Sequence, residues 1–141
     1  MDDAGTGRRG RRPAVTSGLA DAVKAAYGFS VSSAKDLGGS ANLNLLTDDG
    51  QRRVVVRVYR ASVPVARVAA IQRVREVLAG GGVPVAAPVH TGAGEPFVEI
   101  DGLVVEAETF VENDARMNTL DRVASAMPLL GQVHTLLATT G

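Results

Sequence analysis

The segment 42–59 constrains the fold most strongly, because its pattern is typical of two β-strands joined by a tight turn. Residues 53–59 contain four valines and give the strongest strand signal in the chain. Residues 42–47 form a second strand candidate, and Asp48-Asp49-Gly50 between the two has the composition of a tight turn. We therefore expect a β-hairpin here, and with it an antiparallel sheet.

Helical patterns lie on both sides of this hairpin. A short helix is expected to begin at the N-cap Ser17 and to end at Tyr27-Gly28. A second helix follows Pro64, carries its apolar residues on one stripe, and ends at Gly80-Gly81-Gly82. The helical pattern returns over residues 117–137, where Pro128 interrupts it.

The remaining segments predict short strands. One is expected from Phe29 to Lys35, and three follow the second helix, at 85–90, 96–100 and 103–111. Asp101-Gly102 is a two-residue hairpin signal between the last two. This order predicts an α+β fold: a mostly antiparallel five- to six-stranded sheet with one packed helix, flanked by an N-terminal helix and a C-terminal helix.

Composition narrows the classes of function. The 141 residues fit one domain, the net charge of zero argues against a nucleic-acid-binding surface, and the absence of cysteine excludes thiolate metal sites and cysteine nucleophiles. With only two histidines, no metal site is predicted. No apolar stretch approaches the roughly eighteen residues of a membrane span, so we expect a cytoplasmic protein with no membrane partner.

The first sixteen residues differ in character from the rest. Residues 1–16 are small, polar and basic, which predicts a disordered tail. Arg8 and Arg9 are not followed by the apolar segment of an export signal. The alternative is a phosphate-binding tail, and one hypothesis for the chain is a small α+β interaction protein whose tail contacts nucleic acid. A nucleic-acid partner is not the favoured expectation.

Two features near the hairpin suggest phosphate chemistry. The turn 37–42 contains Gly38 and Gly39, whose backbone amides can approach an anion closely, although such turns also occur without a ligand. Arg57 is an isolated cation in a valine-rich strand, so it either has an anionic partner or lies on an exposed face. Protein kinases place a lysine at such a position, where it holds nucleotide phosphates and pairs with a glutamate of the next helix.

Five segments occur in an informative order: Leu-Gly-Gly-Ser-Ala-Asn at 37–42, Val-Val-Val-Arg-Val-Tyr-Arg at 54–60, Gly-Val-Pro-Val-Ala-Ala-Pro-Val at 82–89, Glu-Thr-Phe-Val-Glu at 108–112 and Leu-Gly-Gln-Val-His at 130–134. Together they resemble the N-terminal lobe of the aminoglycoside phosphotransferase family, whose relatives include choline and homoserine kinases, all with the protein-kinase-like fold. The resemblance covers residues 17–138. It implies that ATP binds between two lobes and that its γ-phosphoryl group passes to a small-molecule hydroxyl.

The resemblance divides the chain and assigns roles. Residues 17–114 would be a kinase-like N-lobe with its hinge, and 115–141 a linker and the first helix of a C-lobe. The nucleotide-binding residues it implies are Gly38, Gly39, Ser40, Asn42, Arg57, Gln72, Glu76, Glu108, Thr109, Phe110 and Val111. The loop over the phosphates would be formed by Gly38, Gly39, Ser40 and Asn42, and Arg57 would contact the phosphates. Gln72 and Glu76 are the candidates for the helix partner of Arg57. The last four would form the hinge that reads the adenine edge, with the phenylalanine packed on the base or in the core.

Two other features have structural interpretations. His134 lies on the apolar stripe of the last helix and is interpreted as a packed side chain rather than a general base. The acids Glu106, Glu108, Glu112 and Asp114 lack the spacing of a calcium loop, so they are interpreted as a solvated strand edge and linker.

The sequence contains no His-x-Asp-x4-Asn segment, which in the resembling family supplies the catalytic Asp and Mg²⁺ ligands. No catalytic residue is therefore assigned. ATP binding is expected to be weak or absent in this fragment, and Mg²⁺ to bind only if the missing lobe is supplied. We expect the N-lobe of a truncated or split ATP-dependent small-molecule phosphotransferase, inactive alone. The alternative is a stand-alone, non-catalytic regulatory or interaction module derived from this fold.

The last helix is the surface at which we expect a partner to bind. Its apolar residues Leu129, Val133 and Leu137 are expected to be exposed, because they would pack against the missing lobe. A separately encoded C-lobe, or self-association through this helix, would then cover them.

Overall fold

The computed structural model describes residues 11–113 and 116–140. Residues 1–10 of the predicted tail lie outside the described residues. So does Asp114, at the predicted boundary between the N-lobe and its linker.

Three helices and six strands make up the described part of the chain. They are α1 (Ser17–Tyr27), β1 (Lys35–Asp36), β2 (Leu43–Asp48), β3 (Arg53–Val58), α2 (Val65–Gly80), β4 (Pro88–Val89), β5 (Phe97–Ile100), β6 (Leu103–Thr109) and α3 (Leu120–Ala138). The strands form one antiparallel sheet in the order β1-β2-β3-β6-β4, and β5 also pairs with β6. The predicted α+β class, with a six-stranded antiparallel sheet and helices at either end of the chain, is confirmed.

The hairpin expected at 42–59 is present. β2 and β3 pair along their whole length, with Leu45 opposite Val56. In the turn, Gly50 has φ +95° and its amide donates to Asp48 Oδ1 at 2.6 Å. The turn therefore has the local hydrogen bonding and the left-handed glycine that its composition indicated.

The two faces of the sheet pack against different helices. Val54, Val56 and Val58 of β3 are buried in the larger core, which includes Leu19 and Val23 of α1. The alternate residues of β3 point to the other face, where Tyr59 packs in a second cluster with Val68 of α2. Helices therefore cover both faces, α1 on one and α2 on the other.

Several local expectations were wrong. Residues 29–34 do not form a strand: Phe29 and Val31 are buried, but they anchor an irregular segment to the core instead of pairing in the sheet. The N-cap of α1 is Thr16 rather than Ser17, because the Thr16 hydroxyl accepts from the Leu19 amide at 3.1 Å.

Helix α2 buries much less than its pattern predicted. Only Val68 and Gln72 are buried, whereas Val65 and Val74 are exposed. The prediction of a buried apolar stripe was therefore wrong. Helix α2 buries only two side chains against the sheet, and one of them, Gln72, is polar.

Helix α3 lies against the end of α2. Gln132 Nε2 donates to the Gly81 carbonyl at 2.7 Å, and a Cβ on Gly81 would lie only 2.3 Å from Leu136 Cδ1. No α3 residue is buried: Leu129 and Leu137 are exposed as expected, whereas Val133, also expected to be exposed, is half-buried. His134 is exposed, so its interpretation as a packed side chain was wrong. No described helix is both long and apolar enough to cross a membrane.

Candidate functional site

The loop between β1 and β2 holds four of the predicted site residues: Gly38, Gly39, Ser40 and Asn42. Gly38 and Gly39 have φ of +84° and +111°, a conformation that favours glycine. The Gly38 amide donates to Asp36 Oδ1 at 2.8 Å, and Asn44 Nδ2 donates to the Gly38 carbonyl at 3.0 Å. The loop is therefore held in a defined shape by the two strands that it joins.

Arg12, from the segment that precedes α1, contacts the same loop. Its Nη2 lies 2.5 Å from Asp36 Oδ1, and its Nε donates to the Asn42 carbonyl at 3.2 Å. The Arg12 hydrogen bond, together with that of the Gly38 amide, holds the pKa of Asp36 below its usual value. One guanidinium thus joins both ends of the loop.

Arg57 lies at the centre of the site. Its Nη1 and Nη2 donate to Glu106 and Glu108 of β6, each at 2.9 Å, and its Nε donates to Asn44 Oδ1 at 3.0 Å. Glu106 is directly opposite Arg57 in the β3–β6 register. Of the two interpretations of Arg57, the one with an anionic partner is correct, but the anions come from the sheet rather than from the helix.

Helix α2 adds two donors to this cluster. Gln72 Nε2 donates to Glu106 Oε2, and Arg75 Nη1 donates to the same oxygen at 3.3 Å. Arg75 Nη2 also lies 2.7 Å from Glu108 Oε2 in an ionic contact without hydrogen-bond alignment. The residue predicted as the helix partner therefore reaches the site but binds a glutamate, not Arg57.

The second candidate for the helix partner does not reach the site. Glu76 is exposed and forms no ion pair with any described residue. Sequence reasoning looked for an acid on α2, whereas α2 supplies a cation and an amide donor. Both carboxylates therefore lie on the sheet, and the helix contributes a second cation instead of an acid.

The cluster is buried and electrically balanced. Glu106 is fully buried and Glu108 is 8% exposed, so their interpretation as a solvated strand edge was wrong. Two guanidinium groups face two carboxylates, which satisfies the requirement that buried charges be paired. Burial lowers the pKa of Arg57, but the charge of Glu108, the interaction with Tyr59 and the charge of Glu106 together raise that pKa overall.

Tyr59, the residue directly after β3, adds a further hydrogen-bond donor to this cluster. Its hydroxyl donates to Glu106 Oε1 at 2.8 Å. Burial, and then the Glu106 charge, raise the pKa of Tyr59 to about 12. The tyrosine therefore stays a neutral donor at physiological pH. Sequence reasoning missed it, although its place two residues after Arg57 puts both on one face of the sheet.

An apolar strip continues the Arg57 face. Val55 precedes Arg57 by two residues, is 7% exposed, and lies opposite Leu46 in the β2–β3 register. Leu37 pairs with Asn44 through its amide and is 42% exposed. The three apolar residues were not predicted as site residues, but the period-two alternation from Arg57 identifies Val55.

The predicted hinge, residues 108–111, comprises the last two residues of β6 and the two residues that follow this strand. The amide of Thr109 donates to the Ala87 carbonyl at 2.9 Å and that of Phe110 to the Arg53 carbonyl at 3.0 Å. Among the described residues, the Thr109 carbonyl and the Val111 amide have no hydrogen-bond partner. Val111 is 55% exposed.

Phe110 has a defined neighbour within the chain. The Arg53 guanidinium lies 4.5 Å from the centre of its ring, a cation–π contact. The ring is half-buried at the end of the Arg57 face.

Comparison with known proteins identifies a family to which this sequence is similar. A family model described as "APH: Phosphotransferase enzyme family" matches residues 34–137. No curated protein matches the chain.

Two solved structures share the fold. Spectinomycin phosphotransferase, APH(9)-Ia, in complex with ADP and spectinomycin is 15% identical with a TM-score of 0.68, and its AMP-bound complex is 16% identical with a TM-score of 0.62. This chain is covered to 88% in both, but it spans only 39% and 38% of those chains. With more than half of its residues matched by the family model, the chain belongs to the phosphotransferase enzyme family.

Proposed function

We propose that this chain is the nucleotide-binding half of an ATP-dependent small-molecule phosphotransferase. The observation that carries the proposal is that the Thr109 carbonyl and the Val111 amide, beside the Arg57 face, have no hydrogen-bond partner within residues 11–113 and 116–140. Membership of the phosphotransferase family supports the nucleotide class. The similar spectinomycin phosphotransferase was solved with ADP and with AMP.

The two unpaired groups suit an adenine base. Adenine presents an amino donor and a ring-nitrogen acceptor side by side on one edge, so it needs one carbonyl and one amide in return. In extended backbone, successive amides point to opposite sides, and the Phe110 amide points toward β3. The Thr109 carbonyl and the Val111 amide would then face the same side, away from β3, on which the Thr109 amide meets the Ala87 carbonyl.

The rest of the face suits the remainder of the nucleotide. Leu37, which is exposed, and Leu46, which is half-buried, offer apolar surface on which a planar base would pack. The Gly38-Gly39 loop would lie over the phosphates. Arg57 uses three of its five N–H groups within the protein, so two remain to donate to a phosphate oxygen.

Phosphoryl transfer itself needs groups that these 141 residues do not contain. No His-x-Asp-x4-Asn segment is present, and no described cluster of three acidic or histidine side chains suits a metal ion. The carboxylates of Glu106 and Glu108 are already held by arginines. We expect nucleotide binding without catalysis by this chain alone, with the acceptor site and Mg²⁺ ligands supplied by a C-lobe. A protein that uses ATP in this way would work in the cytoplasm.

The test is a nucleotide titration of the ¹⁵N-labelled chain followed by NMR. We expect AMP and ATP to shift the amides of Thr109, Phe110 and Val111, with GTP binding at least about tenfold more weakly because guanine presents an acceptor where adenine presents a donor. Val111→Pro removes the amide donor and should abolish the AMP shifts. Val111→Ala keeps the amide and serves as the matched control.

Two outcomes would overturn the proposal. One is an absence of hinge shifts with millimolar AMP and ATP. The other is a Val111→Pro variant that is folded by NMR and binds AMP as tightly as the Val111→Ala control.

A further inference from the structure

A cavity with polar walls lies beside the glycine loop, between the end of β3 and the start of α2. Its volume is about 330 Å³, within the range of small-ligand pockets, and it has both polar and apolar walls. The polar walls include Asn42, Arg60, Ser62 and Arg67. Asn42 belongs to the glycine loop, so the cavity adjoins the place where nucleotide phosphates are proposed to lie.

The two arginines of this cavity differ from Arg57 in their electrostatics. Arg57 and Arg75 face Glu106 and Glu108, so that cluster has no net charge to attract an anion. Arg60 and Arg67 are exposed and pair with no carboxylate among the described residues. The uncompensated positive charge on this side of the loop therefore lies in the cavity and not at Arg57.

Neutral donors add to the two charges. Asn42 Oδ1 accepts from the Arg60 backbone amide at 3.3 Å, which fixes the side chain and leaves Nδ2 to donate. The Ser62 hydroxyl has no partner among the described residues. A tetrahedral oxyanion would find two guanidinium groups, an amide and a hydroxyl around one cavity, which is the donor set that suits a phosphate.

We propose that this cavity is a phosphate-binding site in which Arg60 and Arg67 supply the charge and Asn42 and Ser62 the neutral donors. The phosphate has two sources with the same chemistry: the terminal phosphates of a nucleotide, or a free phosphate or pyrophosphate ion. The first source rests on the proposed function, whereas the second does not. If the phosphate belongs to a nucleotide, Arg57 orients the phosphate chain, and the positive charges of Arg60 and Arg67 attract it to the cavity.

The experiment titrates the full chain with inorganic pyrophosphate and with ATP, and follows the arginine Nε–Hε signals by NMR. We expect both Arg60 and Arg67 signals to shift. Replacing both by glutamine should weaken binding at least about tenfold, because two charge-assisted contacts are lost. Arg73→Gln is the control: Arg73 is exposed on α2, does not line this cavity, and its removal should change affinity less than twofold.

Adenosine and AMP separate the two sources. ATP binding tenfold or more tightly than AMP, with the difference lost in the double variant, supports the nucleotide source. Pyrophosphate binding with no gain from ATP over AMP supports the free-ion source. The proposal is overturned if neither pyrophosphate nor ATP shifts the Arg60 and Arg67 signals, or if Arg73→Gln weakens binding as much as the double variant. Adenosine shifts at Val111 report on the proposed function separately.

Discussion

Replacing Glu106 by glutamine tests the central cluster most directly. Glu106 is fully buried and accepts from Arg57, Tyr59, Gln72 and Arg75. Glutamine keeps the shape of the side chain but removes the charge. Two guanidinium groups would then share a single carboxylate, leaving one positive charge uncompensated in a largely buried place.

The expected cost follows from this imbalance. Breaking a buried ion pair by removing one partner costs about 3–5 kcal/mol. The side chains of Arg57 and Arg75 are 24% and 17% exposed, so water relieves part of the penalty and we expect about 3 kcal/mol. Since domains unfold with about 5–15 kcal/mol, this is a large share of the total and should lower Tm by about 10 °C.

Urea denaturation at pH 7, followed by circular dichroism, measures this effect. Glu99→Gln is the control, because Glu99 is exposed on the neighbouring β5 and should change the free energy of unfolding by less than about 0.5 kcal/mol. Combining Glu106→Gln with Arg57→Met restores the charge balance, so the double variant should cost about 0.5–3 kcal/mol less than the sum of the single ones. A Glu106→Gln variant as stable as wild type, or strict additivity with Arg57→Met, would refute the charge-balance reasoning.

Three further outcomes follow from the structure. Stability should fall as pH rises from about 10 to about 12, because an unfolded tyrosine ionises near pH 10 while the raised pKa keeps Tyr59 protonated in the folded state. In an alkaline unfolding series Tyr59→Phe should remove only the share that Tyr59 contributes, because burial also raises the pKa of Tyr27. Thr16→Ala should cost about 1 kcal/mol by removing the α1 cap, and Thr16→Ser should restore it in urea denaturation. Gly39→Ala should cost about 1–2 kcal/mol, since φ is +111° and the new Cβ would lie 3.0 Å from Asn44 Nδ2. Gly18→Ala, which meets nothing within 4 Å, should not destabilise the protein; equal melting temperatures for the two variants would contradict the argument.

Local sequence patterns were enough for the elements whose stability is local. The β2–β3 hairpin was predicted because its turn closes over adjacent residues, with Gly50 in the left-handed conformation. The Asp101-Gly102 turn between β5 and β6 was predicted for the same reason, and both residues have positive φ. The order of such elements was enough to predict the fold class, whereas the family resemblance rested on five short sequence segments between residues 37 and 134.

Burial was harder to predict than secondary structure. Helix α2 has the expected position, but Val65 and Val74 are exposed and Gln72 is buried. A stripe of apolar residues on a helix does not specify how much of it a partner covers. Phe29 and Val31 show the converse, since they are buried without belonging to a strand.

The candidate site depended on tertiary structure. The sequence by itself identified Arg57 as an isolated cation in a valine-rich strand, with either an anionic partner or an exposed position. Which groups neutralise it was decided by the pairing of β3 with β6, which puts Glu106 opposite Arg57 although 49 residues separate them along the chain. The placement of α2 then added Arg75. A strand register at such separation depends on how the whole sheet packs between its helices, and no local pattern encodes that choice.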